Sequence, residues 1–257
     1  MGTFMELAGV NFNREHTVPR KEMLIEKDGD YERYMRLRAV GKELNSKLAD
    51  GLQKKDINRC GEDLGILKKN ILMFENEDDV AVLREYCIHN PSGKKSRIDL
   101  YIEQSSLEAV SDEVMLLKAL REAFFAIVQV NRTEKGYLCY AEDILRRQDF
   151  LLIDLGLGST GRPGMLIATR LMKMPASEYY MTTGAAIPVR GKQAMDVVKA
   201  VLRKFSQPIE SGNLSQTQAN SLGRQLIRSL LRVRSENTML MDPEELEEAL
   251  RKHGSNR

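Results

Sequence analysis

The first half of the chain repeats apolar residues at the spacing of a helix. After Asp30, apolar or small residues recur every three or four positions, at Tyr34, Leu37, Gly41, Leu44 and Leu48. This spacing places one apolar stripe on a helix. A second series of the same kind runs over residues 57–74, after a short polar break at 53–56. Two such stripes joined by a short break predict an antiparallel helical hairpin.

Capping residues mark the helices that follow. Asn76 precedes three acidic residues, which predicts the start of a short helix, and this helix should end before Pro91. Residues 98–102 have the composition of an isolated strand. The next helix should begin either at Ser105 or at Ser111, because each is followed by acidic residues suited to the start of a helix.

The pattern of apolar residues changes at residue 124, where short apolar runs alternate with turn residues. The runs cover residues 124–130, 137–141, 150–155, 165–172 and 179–189. They predict five antiparallel strands that form a meander or a small barrel. Several runs are apolar on both faces, so flanking helices should cover one side. The glycine-rich string from Gly156 to Gly164 should be a bend or loop between two strands.

Helical patterns return after the predicted strands. One stripe ends before Pro208, and a second carries leucines over residues 222–231. A last helix should begin at Asp242 as cap, with Pro243 and Glu245 in its first turn. The chain is therefore predicted to be an α+β protein with a flexible arm (1–28), a helical region (29–122), an antiparallel β module (123–189) and C-terminal helices (190–257).

Composition narrows the class of protein. Of the 257 residues, 42% are apolar and 30% are charged, which is the range of ordinary globular proteins. The three cysteines are far apart and form no C-x-x-C pair, which fits reduced thiols. The first ten residues lack the apolar run of a signal peptide or a membrane span. These features predict a cytoplasmic protein without a membrane segment.

Positive charge is concentrated near the C-terminus. The formal net charge is only +2, but residues 190–235 hold nine basic residues against Asp196 and Glu210, a balance of +7. Arg224, Arg228 and Arg232 are four residues apart and should line one side of a helix. Together with Lys199 and Arg203, they form a candidate surface for an acidic protein or RNA partner. The alternative is a solvated basic face over a buried leucine stripe.

The glycine string matches a nucleotide-binding pattern only in part. Gly156, Gly158 and Gly161 fit G-x-G-x-x-G, but that motif needs a helix that begins among the glycines, and Pro163 follows closely. The same string lacks the lysine and hydroxyl of a P-loop. A further alternative is a loose anion-binding nest of backbone amides at residues 156–161. A small-ligand site here would use four residues, which are Asp154, Ser159, Thr160 and Arg162.

No set of residues commits the chain to a reaction. Cys87 and His89 are two positions apart on a predicted helix, so their side chains diverge. The remaining cysteines lie in apolar patterns, and the three histidines are scattered. We assign no catalytic residue, metal ligand or cofactor. The first hypothesis is a non-enzymatic binding or adaptor protein that uses the basic helices, and the second is a ligand-binding protein or enzyme with its site at residues 156–164.

Overall fold

The computed structural model describes residues 29–90, 95–105, 111–211, 214–233, 239–241, 243–244 and 246–248. The predicted arm at residues 1–28 lies outside the described residues, as do Asp242 and Glu245 of the predicted last helix. No helix in the described ranges is long and apolar enough to cross a membrane.

Two helices begin the described chain, α1 (Asp30–Asp50) and α2 (Lys54–Leu64). Helix α2 ends ten residues before the end of its predicted stripe, which makes that prediction wrong over residues 65–74. Gly65 adopts a left-handed backbone conformation (φ 72°) and ends the helix. Residues 67–74 instead form the hairpin of β1 (Leu67–Lys68) and β2 (Ile71–Phe74).

Three helices then lead to the barrel, α3 (Glu77–His89), α4 (Arg97–Gln104) and α5 (Asp112–Arg121). The Asn76 side chain accepts a hydrogen bond from Asp79 N and caps α3 as predicted. The strand predicted at residues 98–102 is wrong, because Ser96 and Asp99 form a reciprocal capping box that starts α4. Ser111 caps α5, which settles the choice between the two predicted starts.

Five strands close into a barrel, and the α+β fold class is confirmed. The strands are β3 (Phe124–Glu134), β4 (Leu138–Asp143), β5 (Gln148–Ile153), β6 (Leu166–Lys173) and β7 (Tyr180–Pro188). Their order around the barrel is β3-β4-β5-β7-β6. Four neighbouring pairs are antiparallel as predicted, but the prediction of an entirely antiparallel module is wrong for β5 and β7, which pair in parallel. An odd number of strands leaves one parallel pair when the ring closes.

The barrel strands bury both faces, as the apolar runs predicted. One cluster fills the interior and includes Val128, Leu152 and Leu171. The outer face joins the larger core of the helices, through residues such as Ile127 and Met181. The helices therefore pack directly on the barrel.

A short helix, α6 (Leu155–Thr160), occupies the first part of the glycine string. The prediction of a bend or loop at residues 156–164 is wrong for this part. Asp154 caps the helix by accepting a hydrogen bond from Leu157 N. Helix α6 leads into β6, which pairs with β3 and β7 and not with β5, so the βαβ unit of a dinucleotide-binding turn is not formed here.

The chain continues as α7 (Gly191–Lys204), α8 (Ser206–Glu210) and α9 (Gln216–Val233), followed by β8 (Met239–Met241), which pairs with β2. Helix α7 ends before Pro208 as predicted, and Pro208 itself lies within the short α8. The predicted leucine stripe of α9 is buried, including Leu222, Leu226 and Leu230. Helices α7 and α9 pack against each other.

Candidate functional site

A groove of about 480 Å³ opens between helix α1 and the β6–β7 side of the barrel. Its other walls come from the end of α5, from α6 and from strands β6 and β7. We call it the α1 groove. Its size lies within the range of small-ligand sites, about 300–1,000 Å³.

One side of α1 lines the groove with residues at helical spacing. These residues are Tyr34, Arg38, Gly41, Lys42 and Asn45. Positions three, four, seven and eight apart share a helix face, so one side of the helix presents two cations and an amide to the groove. Tyr34 is itself buried.

The floor of the α1 groove is apolar. Leu116 and Leu120 come from α5, and Ile167, Met172 and Met181 come from the barrel. All five side chains are buried. Methionines are flexible and polarisable, so Met172 and Met181 can shift to admit an apolar group against the floor.

A bulge in β7 shapes the wall opposite α1. Thr169 faces Ala186 across the β6–β7 pair, but Leu171 faces Thr182, so β7 holds extra residues at this point. Gly184 lies in the bulge with φ 133°, a conformation that favours glycine. The bulge brings the Thr182 hydroxyl within 2.5 Å of Asp154 Oδ2, to which it donates a hydrogen bond.

The start of α6 is already occupied by protein oxygens. Asp154 Oδ1 accepts from Leu157 N at 2.9 Å, and the Tyr34 hydroxyl accepts from Leu155 N at 3.1 Å. The carboxylate also places negative charge where a phosphate would bind at a helix start. The glycine string therefore does not offer the phosphate cradle that its pattern suggests.

Close packing explains two of the glycines instead. A Cβ atom at Gly158 would overlap the backbone of Gly136 and Tyr137 in the β3–β4 turn. One at Gly161 would overlap the Leu157 carbonyl oxygen. Glycine at position 158 lets α6 lie directly on the β3–β4 turn, and α6 forms a wall of the α1 groove.

The four predicted ligand residues separate into two pairs. Asp154 and Thr160 line the α1 groove. Ser159 and Arg162 are exposed and are not among its lining residues. The Ser159 hydroxyl donates to Leu155 O at 2.6 Å, and Arg162 Nη1 donates to Gly161 O at 2.9 Å. The fold thus brings together half of the predicted set.

Three lining cations were not among the sequence candidates, namely Arg38, Lys42 and Arg190. All three are exposed, and none forms an ion pair with another described residue. A signal for two of them was present, because Arg38 and Lys42 are four positions apart and flank Gly41 in the apolar stripe. Arg190 gave no such signal, since only the fold brings it to the groove.

The predicted partner-binding arginines of helix α9 lie beside the C-terminal end of α2. Arg224 Nη1 lies 3.7 Å from Asp63 Oδ1, and Arg228 Nη1 donates to Asp63 O at 3.4 Å. A Cβ at Gly65, the residue that ends α2, would lie 3.2 Å from Arg232 Nη2. These positive groups complement the negative end of the α2 dipole. The arginine series therefore has a structural role.

Lys199 and Arg203 lie on the neighbouring helix α7. Arg203 is exposed, and Lys199 is partly exposed. RNA binding would also gain from aromatic rings that stack on bases, but Tyr179 and Tyr180 in this part of the chain are not free for that purpose. Tyr179 is buried, and the Tyr180 ring contacts the rings of Phe124 and Phe150.

The described cysteines are all free and buried. A hydrogen bond between Cys87 and Cys60, together with burial, raises the pKa of Cys87 well above its ordinary value. Burial likewise raises the pKa of Cys139 to about 12. A thiol held protonated is a poor nucleophile. Within the described residues, no group of three or more His, Cys, Asp or Glu side chains is placed to hold a metal ion.

The fold and the groove define an α+β protein with a closed five-stranded barrel and a lateral groove. Residues 28–222 match a family of unknown function (DUF7986), and the chain belongs to that family. No curated protein and no solved structure matches the chain. Every residue that lines the α1 groove lies within the matched range.

Proposed function

We propose that the protein binds a small organic anion with an apolar body in the α1 groove. The observation that carries this proposal is an apolar floor beneath three exposed cations in a space of about 480 Å³. Ligand sites of this size are mostly apolar, with a few polar groups that set orientation and specificity. The floor would hold the apolar body and the cations would hold the charged group.

Charge supports an anion as the ligand. Arg38, Lys42 and Arg190 line the groove, and Asp154 is the acidic residue among the described lining. The balance of these four residues is +2. Arginine suits carboxylate, sulfonate and phosphate groups because its donors form a planar fork.

Binding fits the groove better than catalysis does. Both oxygens of Asp154 accept hydrogen bonds, from Leu157 N and from the Thr182 hydroxyl. This carboxylate therefore holds α6 against β7 and is poorly placed to move a proton on a ligand. We also place the protein in the cytoplasm within this proposal, because the three cysteines are free thiols.

Titration with the fluorescent anion 8-anilinonaphthalene-1-sulfonate, followed by competition, tests the proposal. Decanoate should displace the probe in a saturable manner, whereas decanol, which lacks the charge, should do so at least about ten-fold less well. The double variant Arg38→Glu, Lys42→Glu should weaken probe binding at least about ten-fold, because it places negative charge beside the anion.

The matched control is Lys192→Glu. This exposed residue lies two positions from Arg190 but outside the groove lining, so its charge reversal should leave affinity nearly unchanged. Equal displacement by decanol, or equal binding by the double variant, would overturn the proposal. Urea denaturation of each variant establishes that the probe reports a folded protein.

A second candidate function is the binding of an acidic protein or RNA by the basic helices. The supporting observation is that Arg203 on α7 and Arg232 on α9 are exposed, and that these helices pack together. The double variant Arg203→Glu, Arg232→Glu should lose retention on polyuridylate or polyglutamate at low salt. Unchanged retention of the double variant on both matrices would contradict this candidate. A natural chain that neither matrix retains would contradict it as well.

A further inference from the structure

A second, smaller pocket of about 30 Å³ lies on another side of the barrel, between the end of α3 and the first half of α9. We call it the arginine pocket. The polar groups that line it are Arg146, Arg170, Arg224, Tyr86, Asn90 and Asn220. The three arginines come from three separate elements, so only the tertiary structure brings them together.

Arg146 is fixed on the pocket wall by three contacts. Its Nη1 donates to Asp143 Oδ2 at 2.5 Å and to Phe125 O at 3.0 Å. Its guanidinium carbon lies 4.2 Å from the centre of the Phe124 ring. Cation–π contact of this kind holds a guanidinium in one orientation.

Arg170 brings a second guanidinium to the same pocket. Its Nη1 donates to Ala123 O at 3.3 Å, and its Nε lies 3.9 Å from Glu85 Oε1, beyond hydrogen-bond distance. Its Nε is buried and has no hydrogen-bond partner among the described residues. This nitrogen is directed toward Glu85, so Arg170 contributes to the pocket as a lining residue that carries positive charge.

Helix α9 supplies the third arginine because it approaches β3 closely. A Cβ at Gly223 would lie 3.3 Å from Phe125 Cβ, so a larger residue would force Phe125 or the helix to shift. The adjacent Arg224 keeps 46% of its side chain exposed, and its Nη1 lies 3.7 Å from Asp63 Oδ1. That distance leaves its donors available to an incoming anion.

The surroundings of the pocket carry more positive than negative charge. The cations are Arg59, Arg84, Arg146, Arg170 and Arg224, and their acidic neighbours are Asp63, Glu85 and Asp143. The balance is +2. Among the described residues, none of the three carboxylates lines the pocket itself.

We propose that the arginine pocket binds a single phosphate group, either as inorganic phosphate or as a phosphate monoester. Arginine donors match the geometry of phosphate oxygens and can bind them in pairs. The volume of about 30 Å³ corresponds to roughly two water positions, which suits one tetrahedral group and leaves the organic part of a monoester outside the pocket. This site is independent of the α1 groove.

Isothermal titration of the full chain with sodium phosphate tests the proposal, with sodium chloride at equal ionic strength as reference. Arg224→Gln should raise the dissociation constant for phosphate at least about ten-fold, because it removes a charged donor. Arg147→Gln is the matched control. Arg147 is exposed, adjoins Arg146 and does not line the pocket, so its variant should bind phosphate nearly as the natural chain does.

A second variant, Asn220→Asp, places a carboxylate in the exposed lining and should also abolish saturable binding. Phosphoserine and inorganic phosphate distinguish the two forms of the ligand. Tighter binding of phosphoserine assigns a monoester, and tighter binding of inorganic phosphate assigns the free ion. The proposal is overturned if neither gives saturable heat, or if Arg224→Gln, folded by circular dichroism, binds phosphate unchanged. The double variant Arg38→Glu, Lys42→Glu should bind phosphate normally, which separates this proposal from that for the α1 groove.

Discussion

The α1 groove and the arginine pocket both gather positive charge, but they hold it differently. In the groove, Arg38 and Lys42 are exposed and form no ion pair with a described residue. In the pocket, Arg146 and Arg170 are partly buried, and each lies beside a carboxylate. The first arrangement leaves cations free to adapt to a ligand, whereas the second fixes them as part of the fold.

The reason for the difference is desolvation. An exposed cation remains hydrated, so it contributes little to stability and can exchange water for a ligand. A buried cation loses its hydration and needs an acidic partner, and removal of one partner leaves the other uncompensated. Glu85 illustrates the cost, because burial raises the pKa of its carboxyl, although Arg170 and the Ala185 amide act in the opposite direction.

The largest expected effect is a difference in stability between two arginine-to-methionine variants, one in the arginine pocket and one in the α1 groove. Arg170→Met should lower the free energy of unfolding by about 3 kcal/mol, since it leaves Glu85 buried without its cation. Arg38→Met should change it by less than about 0.5 kcal/mol, as for most surface sites. Urea denaturation measures both.

A companion variant identifies the cause. Adding Glu85→Gln to Arg170→Met removes the stranded charge but keeps an acceptor for Ala185 N and a partner for the Thr183 hydroxyl. The double variant should therefore recover part of the lost stability. If Arg38→Met proved as damaging as Arg170→Met, the contrast between the two regions would be wrong.

The next effect concerns the wall of the groove. Gly158→Ala should destabilise the protein by about 1–3 kcal/mol, because the added methyl group meets backbone atoms of the β3–β4 turn that have little freedom to move. Gly156→Ala is the control, since its Cβ would contact only the Asp154 side chain, at 3.2 Å. Thermal unfolding should show a clearly larger loss for Gly158→Ala, and equal losses would refute the packing explanation of the glycine string.

The smallest effect is a change in stability with pH. It comes from His89, which adjoins Asn90 of the arginine pocket. Desolvation, with a further contribution from Arg170, lowers the pKa of His89 well below its usual value of 6.5. The unfolded chain therefore takes up the proton first, so stability is present above about pH 6.5 and is lost as the pH falls. The loss should reach at most about 1.4 kcal/mol per pH unit.

His89→Gln isolates this contribution from that of Glu85. The difference in unfolding free energy between the natural chain and the variant should shrink as the pH falls from 7 to 5.5, measured by urea denaturation at each pH. Arg38→Met should show the same pH dependence as the natural chain. A constant difference for His89→Gln would mean that His89 does not titrate below its ordinary range.

Local signals in the sequence predicted much of the fold but only part of the candidate site. The cap at Asn76 was predicted correctly, and Ser111 was one of two predicted starts for α5, because a cap depends on residues three positions away. The prediction for the glycine string was wrong, since its composition suits a loop. One of its glycines instead allows helix α6 to pack against the β3–β4 turn, which is distant in the sequence. Asp154 was a sequence candidate because it adjoins the glycine string, whereas Arg190 reaches the groove only through the path of β7.

What the sequence determined by itself is the α+β class and the position of the five barrel strands, because periodicity and capping act over a few residues. The tertiary structure alone decided which strands close the ring, which face of α1 borders a groove and which carboxylate accompanies each buried arginine. Those features rest on contacts between distant residues, such as Glu85 with Ala185, which are 100 positions apart. No local pattern specifies such a pairing, since it forms only when packing brings both groups out of water together.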